Sequence, residues 1–245
     1  MGRYLRTDVG PPTIGLRPVP TPDGPSRHAR LASEHSAGDA MIDRIPAATV
    51  RRLPMYLRYL EDVGIRSGTV GSEEIAAATG GSAVQVRKDL SHLRYSGTRG
   101  VGYEIDLLAA AIKKALGLNR TRRVALVGAG NLGTALAGYA GFAVTGFVIT
   151  AVYDKNPRRI GAFIGGMAVR DISDLVEDAA SDPYEIGVIA TPVGAAQTVA
   201  ETLVASQIRA ILNFAGVTVR VPAEVVVRNV DLSTEFRILS YYLSR

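Results

Sequence analysis

Two periodicities divide the chain. From about 45 to 103, apolar positions return at helical spacing in short bursts separated by glycine. One helix is predicted over 54–63, or from as early as Ala47 with Pro54 as an internal kink. Ser72, followed by Glu73, Glu74 and Ile75, reads as an N-cap with acids in the first turn of a helix that ends near Thr79, before Gly80 and Gly81. Ser82 caps a third helix over about 83–95, in which Ala83, Val86, Leu90 and Leu93 recur on one face and point inward. The glycine-dense SGTRGVGY that follows is hairpin-like. Three helices, a tight turn and a terminal hairpin predict a winged helix-turn-helix over 44–103. Residues 104–120 read as a helical connector with Gly117 as its stop signal.

Beyond 121 the pattern becomes short continuous apolar runs alternating with helical segments. Strands are predicted at 124–127, 147–153, 186–190 and 210–214, with one near 225–230; helices follow Gly128 and cover 172–179 and 195–205. That alternation predicts an α/β domain with a doubly wound parallel sheet over 121–230. A last helix over 231–245 places Leu232, Phe236, Leu239 and Leu243 on one face, with Asp231 as its N-cap. Residues 1–43, rich in Pro, Gly, Ser and Arg, carry no apolar periodicity and read as a disordered tail.

Composition narrows the classes. The 245 residues are 47% hydrophobic, enough for real cores, but no apolar run reaches the ~18–20 residues of a membrane span. The N-terminus lacks a signal-peptide apolar region, which sets the expectation of a cytoplasmic protein without a membrane partner. Cysteine is absent, so a disulfide framework, a thiolate nucleophile and a cysteine–zinc site are excluded, and no metal is expected. The formal net charge of +5 is localised. Between 44 and 100 stand nine cations (Arg44, Arg51, Arg52, Arg58, Arg66, Arg87, Lys88, Arg94, Arg99) against five acids (Glu61, Asp62, Glu73, Glu74, Asp89), as expected of a domain that meets nucleic acid.

The chemistry of the second half starts at Gly128-Ala129-Gly130-Asn131-Leu132-Gly133, a G-x-G-x-x-G run directly after an apolar strand and opening a helix. Gly128 permits the tight turn, Gly130 lets backbone approach a pyrophosphate, and Gly133 lets helix and strand pack closely. The pyrophosphate then lies at a helix N-terminus. Asp154 ends the next strand, where an acid accepts from adenosine ribose hydroxyls and repels a 2′-phosphate. This is a Rossmann dinucleotide site that favours NAD(H), although Lys155, Arg158 and Arg159 nearby are cations of the kind that serve a 2′-phosphate. Hydride chemistry needs a proton donor or acceptor, commonly His or Lys. His28, His35 and His92 all precede this domain, and Lys155 is the single lysine beyond Gly133. The nucleotide is therefore expected as a regulatory ligand and the protein is not expected to be an enzyme; the alternative is an NAD-dependent oxidoreductase with an accessory winged helix.

On the third helix the face opposite the core carries Gln85, Lys88, Ser91, His92 and Tyr95, with Arg87 and Arg94 on its flanks. Gln pairs bidentately with adenine, Arg and Lys reach guanine, and Ser, Tyr and Lys bind phosphates. Arg99, between glycines at the hairpin tip, suits a narrow minor groove.

With these residues assembled, the sequence resembles the Rex family of redox-sensing transcriptional repressors from about Ile45 to the C-terminus. The segments that carry the resemblance are IPAATVRRLPMYLRYL, VRKDLSHLRYSGTRGVGY, VGAGNLGTALAGYAGF, IATPVGAAQ, ILNFA and NVDLSTEFRILSYYL. The resemblance implies a homodimer that binds a palindromic double-stranded operator when NAD⁺ dominates and leaves it when NADH binds. It implies DNA contacts from the helix holding Ser82, Gln85, Arg87, Lys88, Ser91 and Tyr95 and from the wing, with Thr98, Arg99, Gly100 and Tyr103. It implies that Lys155, Thr191, Pro192, Asn213, Phe214 and Ala215 join the glycine loop and Asp154 around the cofactor. It further implies that the terminal helix crosses the dimer, setting Asp231 of one subunit near Arg58 of the other, with Tyr139 at the junction. Two positions depart from the family pattern: Asn156, where a second acid is usual, and Leu232, where some relatives have an aromatic near the nicotinamide.

Overall fold

The computed structural model describes residues 45–63 and 68–244. The tail over 1–43, Arg44 and Arg66 lie outside the described residues. The first helix, α1 (Ala47–Val63), runs through Pro54. Proline cannot donate the bond to the carbonyl four residues earlier. Here its ring faces solvent while Leu53, Tyr56, Leu57 and Leu60 are buried on the other side, so core packing carries the helix past the missing bond. Strand β1 (Thr69–Val70) leads into α2 (Ser72–Thr79). Its N-cap is Gly71, one residue earlier than expected, and the Gly71 amide donates to Glu74 Oε2 at 2.7 Å. Ser72 starts the helix instead, because its hydroxyl bonds Glu73 and receives Arg87. The helix ends at Gly80, in the left-handed region at φ 70°.

Helix α3 (Ala83–Ser91) begins at Ser82, whose hydroxyl accepts from the Gln85 amide at 3.2 Å. It stops four residues short of the expected end. Arg94 adopts φ 52°, a conformation an α-helix cannot pass through, and this redirects the chain toward the wing. Thr98 and Gly102 close the wing with two backbone bonds, Thr98 N to Gly102 O at 2.8 Å and Gly102 N to Thr98 O at 2.9 Å. Strand β2 (Tyr103–Glu104) pairs antiparallel with β1. The segment expected as a connector is α4 (Ile105–Ala115), which buries Ile105, Leu108 and Ile112 in the same core as Leu53, Leu60, Ile75, Val86 and Leu90.

The second half is a seven-stranded sheet: β3 (Arg122–Val127), β4 (Phe147–Asp154), β5 (Phe163–Ile164), β6 (Met167–Asp171), β7 (Ile186–Ile189), β8 (Ala210–Asn213) and β9 (Val226–Asn229). Their spatial order is β5-β6-β4-β3-β7-β8-β9, all neighbours parallel except the β5–β6 hairpin at one edge. The chain leaves β3 toward one side and returns past it to β7 on the other, so the topological switch lies between β3 and β7. The helix expected after Gly128 is broken into α5 (Asn131–Ala137) and α6 (Gly141–Val144), with Gly138 between them. The hairpin β5–β6 has no counterpart in the sequence reading. A 3₁₀ turn at Ile172–Asp174 precedes α7 (Leu175–Ser181), and α8 (Val193–Ala205) links β7 to β8.

Alternate residues of β3 fall into two cores. Ala125 and Val127 pack toward Leu175, Val199 and Leu203 of α7 and α8; Val124 and Leu126 pack on the opposite face, toward α5. Burial on both faces is why these strands read as continuous apolar runs. The last helix, α9 (Leu232–Leu243), starts at Asp231 as expected and lies on the surface with no buried residue.

Candidate functional site

The glycine loop sits where β3 ends. Gly128 has φ 109°, and a Cβ there would lie 2.5 Å from Ala190 O; a Cβ on Gly133 would lie 1.8 Å from Gly128 O. Neither position admits a side chain. Gly130, by contrast, faces open space. The loop therefore presses against the end of β7 and leaves its middle accessible to a ligand, at the carboxyl ends of the strands beside the switch.

Asp154, at the end of β4, turns one carboxylate oxygen to the Ala129 amide at 2.8 Å and the other to the Asn156 amide at 2.8 Å. Arg159 donates to the Ala129 carbonyl, so both polar groups of that residue are held by side chains, one from the end of β4 and one from the loop after it. This inward use of Arg159 separates it from Lys155 and Arg158, which are exposed. Asn131 and Leu132 are exposed at the start of α5. Thr191 stands against Gly128, and its hydroxyl is buried with no partner among the described residues. A buried unpaired hydroxyl is costly, and this one belongs to a residue that meets the glycine loop through its Cγ2 methyl group. Pro192, exposed, leads into α8.

In the segment 213–215, expected to line the cofactor cleft, the side chains turn into the protein. Asn213 is buried, and its amide is spent within the protein: Nδ2 donates to Val217 O at 2.6 Å and Asn229 Oδ1 at 2.9 Å, while Oδ1 accepts from the Ala215 amide at 3.0 Å. Ala215 is buried in the core toward α8, and Phe214 packs into the opposite core. Glycine loop, Asp154 and Thr191 together fit a dinucleotide.

The other candidate surface is α3 and the wing. Lys88, Ser91, Thr98, Arg99 and Gly100 are exposed, as is the cap Ser82. The Ser91 hydroxyl donates to Lys88 O at 2.7 Å. Arg87 donates to Ser72 Oγ at 2.8 Å and Glu73 Oε1 at 3.1 Å, tying α3 to α2. Tyr95 departs from the outward face assigned to it. Because α3 ends at Ser91, Tyr95 instead packs half-buried against the domain core and against Tyr103, ring centroids 6.3 Å apart.

The residue that sequence reading missed is Asp89. Counted there as one acid among five, it is 0% exposed and accepts from Thr49 Oγ1 (2.8 Å), Arg52 Nε and Nη2 (2.6 and 2.7 Å), Tyr56 OH (2.8 Å) and Gln85 Nε2 (3.0 Å). Burial alone would push the carboxyl up, but the donors from Arg52, Tyr56, Thr49 and Gln85 outweigh it and hold the group well below the usual carboxylate range. Tyr56 is pushed up to about 12 by burial and by its bond to Asp89.

Arg58 and Tyr139 are exposed, and Asp231 caps its own helix, accepting from Ser233 N (2.9 Å), Ser233 Oγ (2.7 Å) and Thr234 Oγ1 (3.0 Å). No bond joins Arg58 to Asp231 within one chain among the described residues. Nor, among those residues, is there a His, Cys, Asp or Glu cluster fit for a metal ion, or a helix long and apolar enough to cross a membrane.

Comparisons with known proteins follow the same division. Residues 119–217 match the CoA binding domain family, and residues 44–91 match a family of DNA-binding protein N-termini. The redox-sensing transcriptional repressor Rex of Streptomyces coelicolor is 48% identical over 202 residues, 82% of this chain and 78% of that one. Its namesake from Desulfitobacterium hafniense is 44% identical over 200 residues, 81% of this chain and 95% of that one. Among solved structures, RSP bound to β-NAD⁺ and operator DNA is similar with TM-score 0.76 and 36% identity, covering 81% of this chain and 92% of that one. RSP bound to β-NADH is similar with TM-score 0.74 and 35% identity, covering 82% and 94%.

Proposed function

The chain belongs to the Rex family of redox-sensing transcriptional repressors, and we propose that it represses transcription as a homodimer, holding a palindromic operator in its apo or NAD⁺ state and releasing it when NADH binds. The observation that carries this reading is the joining in one chain of a winged helix and a Rossmann cleft whose glycine loop, Asp154 and unpaired Thr191 hydroxyl fit a dinucleotide. Gly128 to Gly133 and Thr191 would hold the pyrophosphate side, and Asp154 with Lys155 the adenosine ribose; Pro192, Asn213, Phe214 and Ala215 would line or support the cleft. Lys88, Ser91, Thr98, Arg99 and Gly100 would meet DNA, with Arg87, Tyr95 and Tyr103 acting mainly by fixing the helix and wing. The nucleotide is a ligand and not a reagent, since the domain offers no histidine and its single lysine lies in the adenosine loop.

A homodimer is supported by two matching apolar surfaces. On α9, Leu232, Phe236, Leu239 and Leu243 are 56–87% exposed, more apolar surface than a 12-residue helix keeps in water without a partner. On the α5 side of the sheet, a cavity of about 440 Å³ opens over Ile186, Val188, Leu212, Phe214 and Val226. Its lining is mostly apolar, which suits a partner's α9 better than a cofactor's polar groups. The test is fluorescence anisotropy of a labelled palindromic operator duplex with the full chain, NADH or NAD⁺ being added. NADH is expected to release the duplex at concentrations where NAD⁺ does not; equal effects of the two would contradict the reading.

A further inference from the structure

Asp89 sits under the one side chain of α3 whose amide is suited to reading a base edge. Gln85 is the third residue of α3, in the first turn, the part of a recognition helix that meets base edges. Its Nε2 donates to Asp89 Oδ1 at 3.0 Å. An ionised carboxylate only accepts hydrogen bonds, so the Gln85 amide must present its NH₂ to Asp89 and turn its carbonyl away. Asp89 is itself immobilised by Thr49, Arg52 and Tyr56 of α1, and has no exposure through which to swing out.

We propose that Asp89 is a positioning residue for base recognition: it locks the Gln85 amide in one of its two flip states, so that Gln85 selects adenine at one base pair of each operator half-site. With one N–H spent on Asp89, the amide keeps one N–H and one carbonyl. That donor–acceptor pair, in a fixed order, complements adenine N7 and the N6 amino group in the major groove. A glutamine free to rotate offers either order and discriminates less. The inference rests on the DNA-reading role proposed above, and it adds what makes that reading selective.

The experiment selects bound duplexes from a pool carrying two inverted, randomised half-sites, using the full chain. Affinities are then measured for the selected duplex and its single-base variants. The wild-type chain is expected to prefer adenine at one half-site position. Gln85→Ala leaves Asp89 its three partners on α1 and is expected to flatten preference at that position alone, by ~5–150-fold. Asp89→Asn, shown folded by circular dichroism and its melting curve, is expected to flatten the same position and to have no further effect there when combined with Gln85→Ala. Gln85→Glu keeps an outward acceptor without a donor and is expected to move the preference toward cytosine; this outcome decides the matter if Asp89→Asn does not fold. Unchanged discrimination in Gln85→Ala, full adenine preference in folded Asp89→Asn, or adenine preference kept by Gln85→Glu would each overturn the proposal. If the wild-type chain selects no duplex, the DNA-reading role itself fails, which is a separate result.

Discussion

Asp154 holds the glycine loop through Ala129 and its own turn through Asn156, and in the proposed reading its place at the end of β4 serves a ribose. Asp154→Ala is expected to weaken NADH binding by about 10–150-fold, the worth of a charged hydrogen bond, and to leave operator affinity of the ligand-free protein nearly unchanged. NADH fluorescence titration and operator anisotropy on the same variant check both halves. Asp89 answers to pH. Its carboxyl lies below the ordinary aspartate value in the folded state, so the stability it contributes is present above about pH 4 and is lost as pH falls below it. Melting temperature is expected to drop on acidification through that range, and to drop less in Asp89→Asn, which starts lower; parallel curves would show that the carboxylate is not responsible. Removing the carboxylate altogether, as in Asp89→Ala, is expected to cost about 2–4 kcal/mol in denaturant titration, because the buried hydroxyls of Thr49 and Tyr56 lose their acceptor. The two aspartates also mark what a sequence discloses. Asp154 was legible because it follows a local motif at a fixed spacing. Asp89 was not, since its partners Thr49, Arg52 and Tyr56 lie 40, 37 and 33 residues away and only the fold brings them together.

At the scale of elements, the strands around the glycine loop were readable because a sheet buried on both faces writes itself as apolar runs. The β5–β6 hairpin was not: its strands are of two and five residues, half exposed, with Arg170 in the second, and they leave no such run. The early end of α3 escaped for another reason. Leu93 continues the helical apolar pattern and packs on the core, whereas Tyr95, outward on a continued helix, reaches the core by way of the turn at Arg94. What remains exposed on α3 and the wing divides by role. Lys88→Ala is expected to weaken binding to operator and random duplex alike and to reduce the salt slope by about one, as loss of a phosphate contact does. Arg99→Ala is expected to act most where the operator has a narrow, A·T-rich minor groove. Binding isotherms on both duplexes at two salt concentrations distinguish them, and identical profiles would refute the division.

For the whole molecule, the exposed apolar face of α9 and the apolar cavity on the sheet are the two surfaces on which the proposed dimer rests. In the proposed dimer Asp231 of one subunit meets Arg58 of its partner, with Tyr139 beside them, and the pair biases the switch only if it forms in one of the two states. Asp231→Ala and Arg58→Ala are each expected to move the NADH concentration for operator release, and together to move it non-additively; strictly additive shifts would mean the residues do not communicate. In the proposed repressor the cleft and the winged helix share one equilibrium, and linkage makes that reciprocal. Calorimetry of NADH binding to the free protein and to its preformed complex with a palindromic operator duplex tests it most directly. NADH is expected to bind the DNA complex more weakly by the same factor, ~5–150-fold, by which saturating NADH weakens operator binding. Equal NADH affinity for the free and the DNA-bound protein would contradict it.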